Sequence, residues 1–141
     1  MPLNPPVSAS AALRLLLTDD NPLFLASTAT LLAGAEWIEM VGQVANGTEC
    51  LRLASEHAPD VVVLDLAMPD MNGFEVTKRL KALPAPPRVV ILSLYDEPEY
   101  RQRARQSGAD GYVAKAAAIT ELLPLLHSLF AKERPPHECS F

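Results

Sequence analysis

Five polar side chains follow or interrupt short apolar runs in a pattern that could do chemistry. Asp19 and Asp20 come after Leu13-Arg14-Leu15-Leu16-Leu17-Thr18. Asp65 comes after Val61-Val62-Val63-Leu64, Ser93 closes Arg88–Leu92, and Lys115 stands two residues beyond Gly111-Tyr112-Val113. A lone Asp at such a place is usually a helix cap, and a lone Lys a surface charge. The set occupies four of five expected strand ends, which those bland readings do not explain together. Three neighbouring carboxylates repel one another unless a cation intervenes. Hard oxygen donors with open positions suit Mg²⁺, which keeps waters and shares phosphate oxygens. One carboxylate could then attack phosphorus and form an aspartyl phosphate. A lysine, a hydroxyl and the metal would spread over the phosphoryl oxygens.

The elements that must hold these groups repeat along the chain. Short, near-continuous apolar runs read as strands buried on both faces of a parallel sheet. Strands are expected at Leu13–Thr18, Ile38–Ala45, Val61–Asp65, Arg88–Ser93 and Gly111–Val113. Helices follow each of them. Asn21 and Asp96 are the expected caps of the first and fourth, with Pro22 and Pro98 at their starts, and Gly34 and Gly108 as their ends. Helices are also expected from Asn46-Gly47 to His57, Gly73 to about Leu83, and Ile119 to Lys132. Five strand–helix units imply right-handed crossovers and a doubly wound three-layer α/β sandwich, with its site at a topological switch point. No glycine-rich phosphate loop follows the first strand, which disfavours nucleotide binding.

Bulk properties agree with one folded domain. The chain has 141 residues, a formal net charge of −5, 49% hydrophobic and 21% charged residues. A free-standing nucleic-acid binder would carry a basic stripe; only Arg101, Arg103 and Arg105 cluster, and they read as a solvated helix edge. Cys50 and Cys139 are expected as free thiols in a reducing cytoplasm. Met1-Pro2-Leu3-Asn4-Pro5-Pro6 lacks a signal-peptide pattern, and no run reaches a membrane span, so a cytoplasmic protein with no membrane contact is expected. Of the 13 prolines, most fall in the tails or punctuate elements. Pro124 lies inside the last helix, where it should delay the start to near Leu123 or kink the first turns.

With these residues in place, the chain resembles the receiver domain of two-component response regulators. The resemblance rests on Leu17-Thr18-Asp19-Asp20-Asn21-Pro22, on Asp60 through Gly73, on Val89-Val90-Ile91-Leu92-Ser93, and on Ser107 through Lys115. In style it is most similar to the receivers of NarL/LuxR-type regulators, through Asp20-Asn21-Pro22 and Asp96-Glu97-Pro98-Glu99-Tyr100. It implies a flavodoxin-like (βα)₅ fold with a five-stranded parallel sheet in order 2-1-3-4-5. It implies a flexible tail at 1–12, a receiver at 13–132 and a flexible tail at 133–141.

The resemblance also implies roles. Asp65 is the phosphoacceptor. Asp19, Asp20, Asp65 and the backbone carbonyl of Ala67 hold Mg²⁺. Lys115 pairs with the phosphoryl group, Ser93 hydrogen-bonds it, and Tyr112 is the aromatic switch that turns inward. Ala67 and Tyr95 tune dephosphorylation: Ala67 cannot orient water and Tyr95 could shield, which predicts a long-lived phosphoryl state. Leu94 is bulky for its place and is expected to narrow access. The implied donor is a histidine kinase or phosphotransfer protein, and the implied output is the surface of the fourth helix, fifth strand and fifth helix. No direct nucleic-acid contact is expected. The chain is either a single-domain regulator or an isolated receiver, and it is not a conventional enzyme, though it would catalyse its own phosphorylation and dephosphorylation.

The first and last helices are nearly free of charge. Either Ser27, Thr28, Thr30, His127 and Ser128 supply enough polarity, or these helices form a docking patch for a kinase bundle or for a second copy in a homodimer. Competing functions are a Mg²⁺-dependent phosphohydrolase of the haloacid dehalogenase type and an FMN carrier. The first wants Asp-x-Asp after its first strand, where this chain has Asp19-Asp20. The second wants a hydroxyl-rich loop where this chain has two acids. His57, His127 and His137 read as surface residues, and Met68 and Met71 as loop packing.

Overall fold

A computed structural model describes residues 12–131. The expected tails, apart from residue 12, lie outside the described residues, as do Lys132, His137 and Cys139. The element order is β1 (Leu13–Thr18), α1 (Pro22–Ala33), β2 (Ile38–Val44), α2 (Gly47–His57), β3 (Val61–Leu64), α3 (Gly73–Lys81), β4 (Arg88–Ser93), α4 (Pro98–Ser107), β5 (Gly111–Ala114), a 3₁₀ turn (Lys115–Ala117) and α5 (Ala118–Ala131). The sheet order is β2-β1-β3-β4-β5, and every neighbouring pair is parallel. This is the doubly wound arrangement expected of the strand–helix repeat. The winding direction reverses between β1 and β3, whose carboxyl ends therefore open a crevice.

Alternation within the apolar strands builds two cores. Leu16, Val62, Leu64, Val89, Ile91 and Tyr112 face α2, α3 and α4, where Cys50, Phe74, Leu80 and Ala104 meet them. Leu15, Leu17, Val61, Val63, Val90, Leu92 and Val113 face α1 and α5, where Leu32, Leu122 and Leu126 meet them. The strands carry apolar residues at successive positions because both faces are covered.

Helix starts follow from side-chain caps. Asn21, Asn46 and Asn72 each accept from the backbone N–H three residues on, at 3.0, 2.8 and 2.9 Å. Asp96 does not cap α4. That position falls to Glu97, which makes no capping bond, while Asp96 pairs with Arg101 at 2.6 Å. Gly34 closes α1 in a right-handed conformation, φ −75°, so nothing in the backbone there demands glycine. Gly108 does meet that demand: its φ is 104°, and it closes α4 by donating to the Ala104 and Arg105 carbonyls.

Helix α5 corrects the reading of Pro124. It begins at Ala118, not near Leu123, and continues through the proline. A proline inside a helix costs about 3 kcal/mol. Leu122, Leu126 and Leu129 lie on one face and are 0%, 0% and 5% exposed. Burying each such side chain returns about 1.5–3 kcal/mol, so packing on the sheet outweighs the lost bond. Pro124 itself faces solvent.

Candidate functional site

The crevice between β1 and β3 gathers the acidic residues. Carboxylate oxygens of Asp19, Asp20 and Asp65 all lie within 4.8 Å of one another. Asp19 and Asp65 are 3% and 6% exposed, and Asp20 is open to solvent. Asp19 is fixed by the Asn21 N–H, which donates to its Oδ1 at 2.9 Å. Asp65 follows β3 directly, and its own N–H donates to the Thr18 carbonyl at 3.1 Å. The two strands therefore set the spacing of the two buried acids.

Lys115 enters from the end of β5. Its Nζ is 2.9 Å from Asp19 and 3.4 Å from Asp65, and its side chain is 4% exposed. On a third side the ammonium faces the Phe24 ring, 4.2 Å from the centroid. Burial pushes the Asp65 carboxyl above its ordinary range; the Lys115 ammonium pulls it back, and the Asp19 carboxylate pushes it up again. One ammonium against three carboxylates leaves the cluster with excess negative charge. Two like charges ~4 Å apart repel by about 4 kcal/mol at an effective dielectric of ~20. Oxygen-only donors with that excess charge, one of them open to solvent, fit a hard divalent cation such as Mg²⁺.

Ser93 and Tyr112 sit deeper along β4 and β5. Ser93 is fully buried, and its Oγ accepts from the Tyr95 N–H at 3.0 Å. Tyr112 is 3% exposed, and its hydroxyl donates to the Tyr95 carbonyl at 2.5 Å. The ring thus lies inward in this structure. Arg101 covers it: the guanidinium is 4.8 Å from the ring centroid and donates to the Tyr112 carbonyl at 3.3 Å. Of the three arginines, Arg103 and Arg105 are exposed, as expected of a helix edge, with Arg103 4.3 Å from the Phe74 ring, while Arg101 is half-buried against Tyr112.

The residues expected to tune the site stand at its border. Ala67 is exposed. Tyr95 stacks on Tyr100, with ring centroids 4.8 Å apart and planes at 14°. Leu94 is 75% exposed. Met68 and Met71 pack on the core, as expected of loop packing. His57 and His127 are exposed, and His127 meets the Trp37 ring edge-on at 5.3 Å. Cys50 is a buried free thiol, pushed up to about 11 by burial, which makes it a poor nucleophile.

Three positioning residues escaped the sequence reading. Asp70 ties the loop after Asp65 to the start of α2, accepting from Gly47 N–H, Thr48 N–H and Thr48 Oγ1 at 2.9, 2.8 and 2.6 Å. Gly73 lets α3 approach so closely that a Cβ would come within 2.8 Å of the Asp65 carbonyl oxygen and Leu66 Cα. Phe24 supplies the ring beside Lys115. Only Gly73 left a signal, as a glycine directly after a capping asparagine.

Helices α1 and α5 lie on the same side of the sheet and enclose a groove of about 410 Å³, lined by Phe24, Ser27, Leu31, Lys115, Ala118 and Ile119 among others. Thr28 does not supply surface polarity there, since it is 3% exposed and packs inward.

Comparison with known proteins agrees with this geometry. Residues 15–127 match the response regulator receiver domain family. Over 122 residues, 86% of this chain, the sequence is 34% identical to the response regulator GacA of Pseudomonas aeruginosa and spans 57% of that protein. It is 36% identical over 119 residues, 84% of this chain, to the nitrate/nitrite response regulator protein NarL of Escherichia coli, spanning 55% of it. The chain thus spans about half the length of the curated relatives it matches. Among solved structures, the signal receiver domain described as that of NarL from Mycobacterium tuberculosis superposes with a TM-score of 0.81 at 31% identity, covering 86% of this chain and 98% of that one. A LuxR-family two-component response regulator from Aurantimonas sp. SI85-9A1 gives 0.81 at 28% identity, covering 87% and 88%. The chain belongs to the response regulator receiver domain family.

Proposed function

We propose that Asp65 accepts a phosphoryl group from a histidine kinase or phosphotransfer protein. The observation that carries this reading is the buried Asp19–Asp65–Lys115 arrangement beside the exposed Asp20. An Asp65 carboxylate oxygen attacks phosphorus as the donor's bond to phosphorus breaks, and the donor group leaves with its electron pair. Asp19, Asp20, Asp65 and the Ala67 carbonyl would hold Mg²⁺, which neutralises charge on the phosphoryl oxygens when bound. Lys115 is within reach of the same oxygens through Asp65. Ser93 accepts from Tyr95 N–H, and its hydroxyl hydrogen is proposed to turn to the phosphoryl group.

The output proposed is the α4–β5–α5 surface. Arg101 links α4 to β5 through Tyr112, so a shift of the loop after Ser93 would move the start of α4 with it. A kinase bundle or a second copy of the chain is proposed to meet the charge-poor α1 and α5 surfaces, in a cytoplasmic setting. Autocatalysed phosphorylation and dephosphorylation complete the reading, with a long-lived phosphoryl state because Ala67 offers no group to orient water. The phosphohydrolase alternative gains no supporting observation.

The test is incubation with Mg²⁺ and acetyl phosphate followed by intact mass. One added phosphoryl group, lost in Asp65→Asn, is expected. No adduct with any donor would contradict the reading.

A further inference from the structure

Lys115 is held by more than its two carboxylates. Four residues close a ring around the end of β1. Asp19 accepts from Lys115 Nζ at 2.9 Å and from the Asn21 N–H at 2.9 Å. Asn21 accepts from the Phe24 N–H at 3.0 Å, which sets the first turn of α1. The Phe24 ring then faces Lys115 Nζ at 4.2 Å. The ammonium is nearly dry, with its side chain 4% exposed, so water does not compete for the ring. A desolvated ammonium over an aromatic face is the strong limit of this interaction.

We infer that Phe24 is a positioning residue for Lys115, holding its ammonium against Asp65 when Asp19 is engaged elsewhere. The inference rests on the proposed phosphoryl chemistry at Asp65. In the arrangement described, Lys115 lies nearer Asp19 than Asp65, at 2.9 against 3.4 Å. A divalent cation on the acidic cluster would compete for Asp19 and weaken that hold. The ring carries no formal charge and ligates no hard cation, so its attraction for the ammonium persists. It limits the rotamers open to a long side chain when a phosphoryl oxygen appears beside Asp65. Phe24 also lines the groove between α1 and α5, so it joins that surface directly to the lysine.

The test compares wild type, Phe24→Leu, Phe24→Tyr, Lys115→Ala and the Phe24→Leu/Lys115→Ala double variant. The readouts are the rate of phosphorylation by acetyl phosphate at saturating Mg²⁺, and the Mg²⁺ dissociation constant by calorimetry without donor. Phe24→Leu keeps an apolar wall but loses the π face, and should slow phosphorylation about 5- to 30-fold, the range that ~1–2 kcal/mol of lost attraction allows. Mg²⁺ affinity should change less than about twofold. Phe24→Tyr should restore the rate to within about threefold of wild type. In the Lys115→Ala background Phe24→Leu should have no further effect. A Phe24→Leu rate within twofold of wild type, or an equal loss with and without Lys115, would overturn the inference. Absence of any adduct on the wild-type chain would instead overturn the phosphoryl chemistry itself.

Discussion

Gly73 controls the distance between α3 and the loop that carries Asp65. Any Cβ there would meet backbone, the Asp65 carbonyl oxygen and Leu66 Cα, both at 2.8 Å. Backbone cannot yield as a side chain can. Gly73→Ala is therefore expected to cost about 1–3 kcal/mol of stability by overpacking, measured by urea unfolding, and to slow phosphorylation because Asp65 moves with its own carbonyl. Asp70 acts on the same loop from the other end. Its hydrogen bonds from Thr48 and Gly47 hold its carboxyl down at about 2. A folded-state pKa below the unfolded value of ~3.9 contributes stability above that value, and the contribution fades as pH falls towards 2. Thermal midpoints of wild type and Asp70→Asn should thus differ at pH 7, with wild type higher, and converge between pH 4 and 2. A constant difference across that range would exclude the ionised Asp70 clamp. The five chemical residues were legible because strand ends are fixed by short apolar runs. Asp70, Phe24 and Arg101 were not, because each acts on a partner at least 20 positions away or on another element's ring, which no local pattern records.

Among the elements, α5 and the end of α2 carry the clearest tests. Pro124 faces solvent inside a helix whose buried leucines hold it on the sheet. Pro124→Ala should restore one backbone hydrogen bond and stabilise the chain by up to about 3 kcal/mol; a loss of stability on urea unfolding would mean the proline has a packing role. Ala58 ends α2 with φ 46°, a left-handed conformation that strains a Cβ. Ala58→Gly should gain about 0.5–1 kcal/mol, the released strain less the extra freedom of the unfolded chain. The starts of α1, α2 and α3 were legible through asparagines that cap by local hydrogen bonds. Pro98 starts α4 as expected, but its cap was misassigned: Asp96 pairs with Arg101 instead of the backbone. The start of α5 at Ala118 is one residue from the expected Ile119; what failed is the delay to near Leu123, where a local rule about proline met a helix held by burial on the sheet.

The whole molecule is a doubly wound sheet whose reversal point holds the acids, with Lys115 reaching across from β5. Parallel pairing follows from five apolar runs alternating with five helices, while the strand order 2-1-3-4-5 was implied by the receiver resemblance. The sequence did not disclose that Tyr112 would lie inward in this structure, since that depends on the Tyr95 carbonyl and the Arg101 guanidinium meeting it in three dimensions. If this packing is the resting arrangement, Arg101→Ala should expose Tyr112, and its phenol should show increased quenching by acrylamide when the other two tyrosines are replaced by Phe; unchanged quenching would show that Arg101 does not hold the ring. The central claim is that one carboxylate, at the end of β3, takes the phosphoryl group. An acyl phosphate is reduced by borohydride to an alcohol, which converts a phosphorylated aspartate to homoserine. After treatment with Mg²⁺ and acetyl phosphate, borohydride reduction and peptide sequencing by mass spectrometry should find homoserine at position 65 alone. Homoserine at position 19 or 20, or at none, would contradict the account.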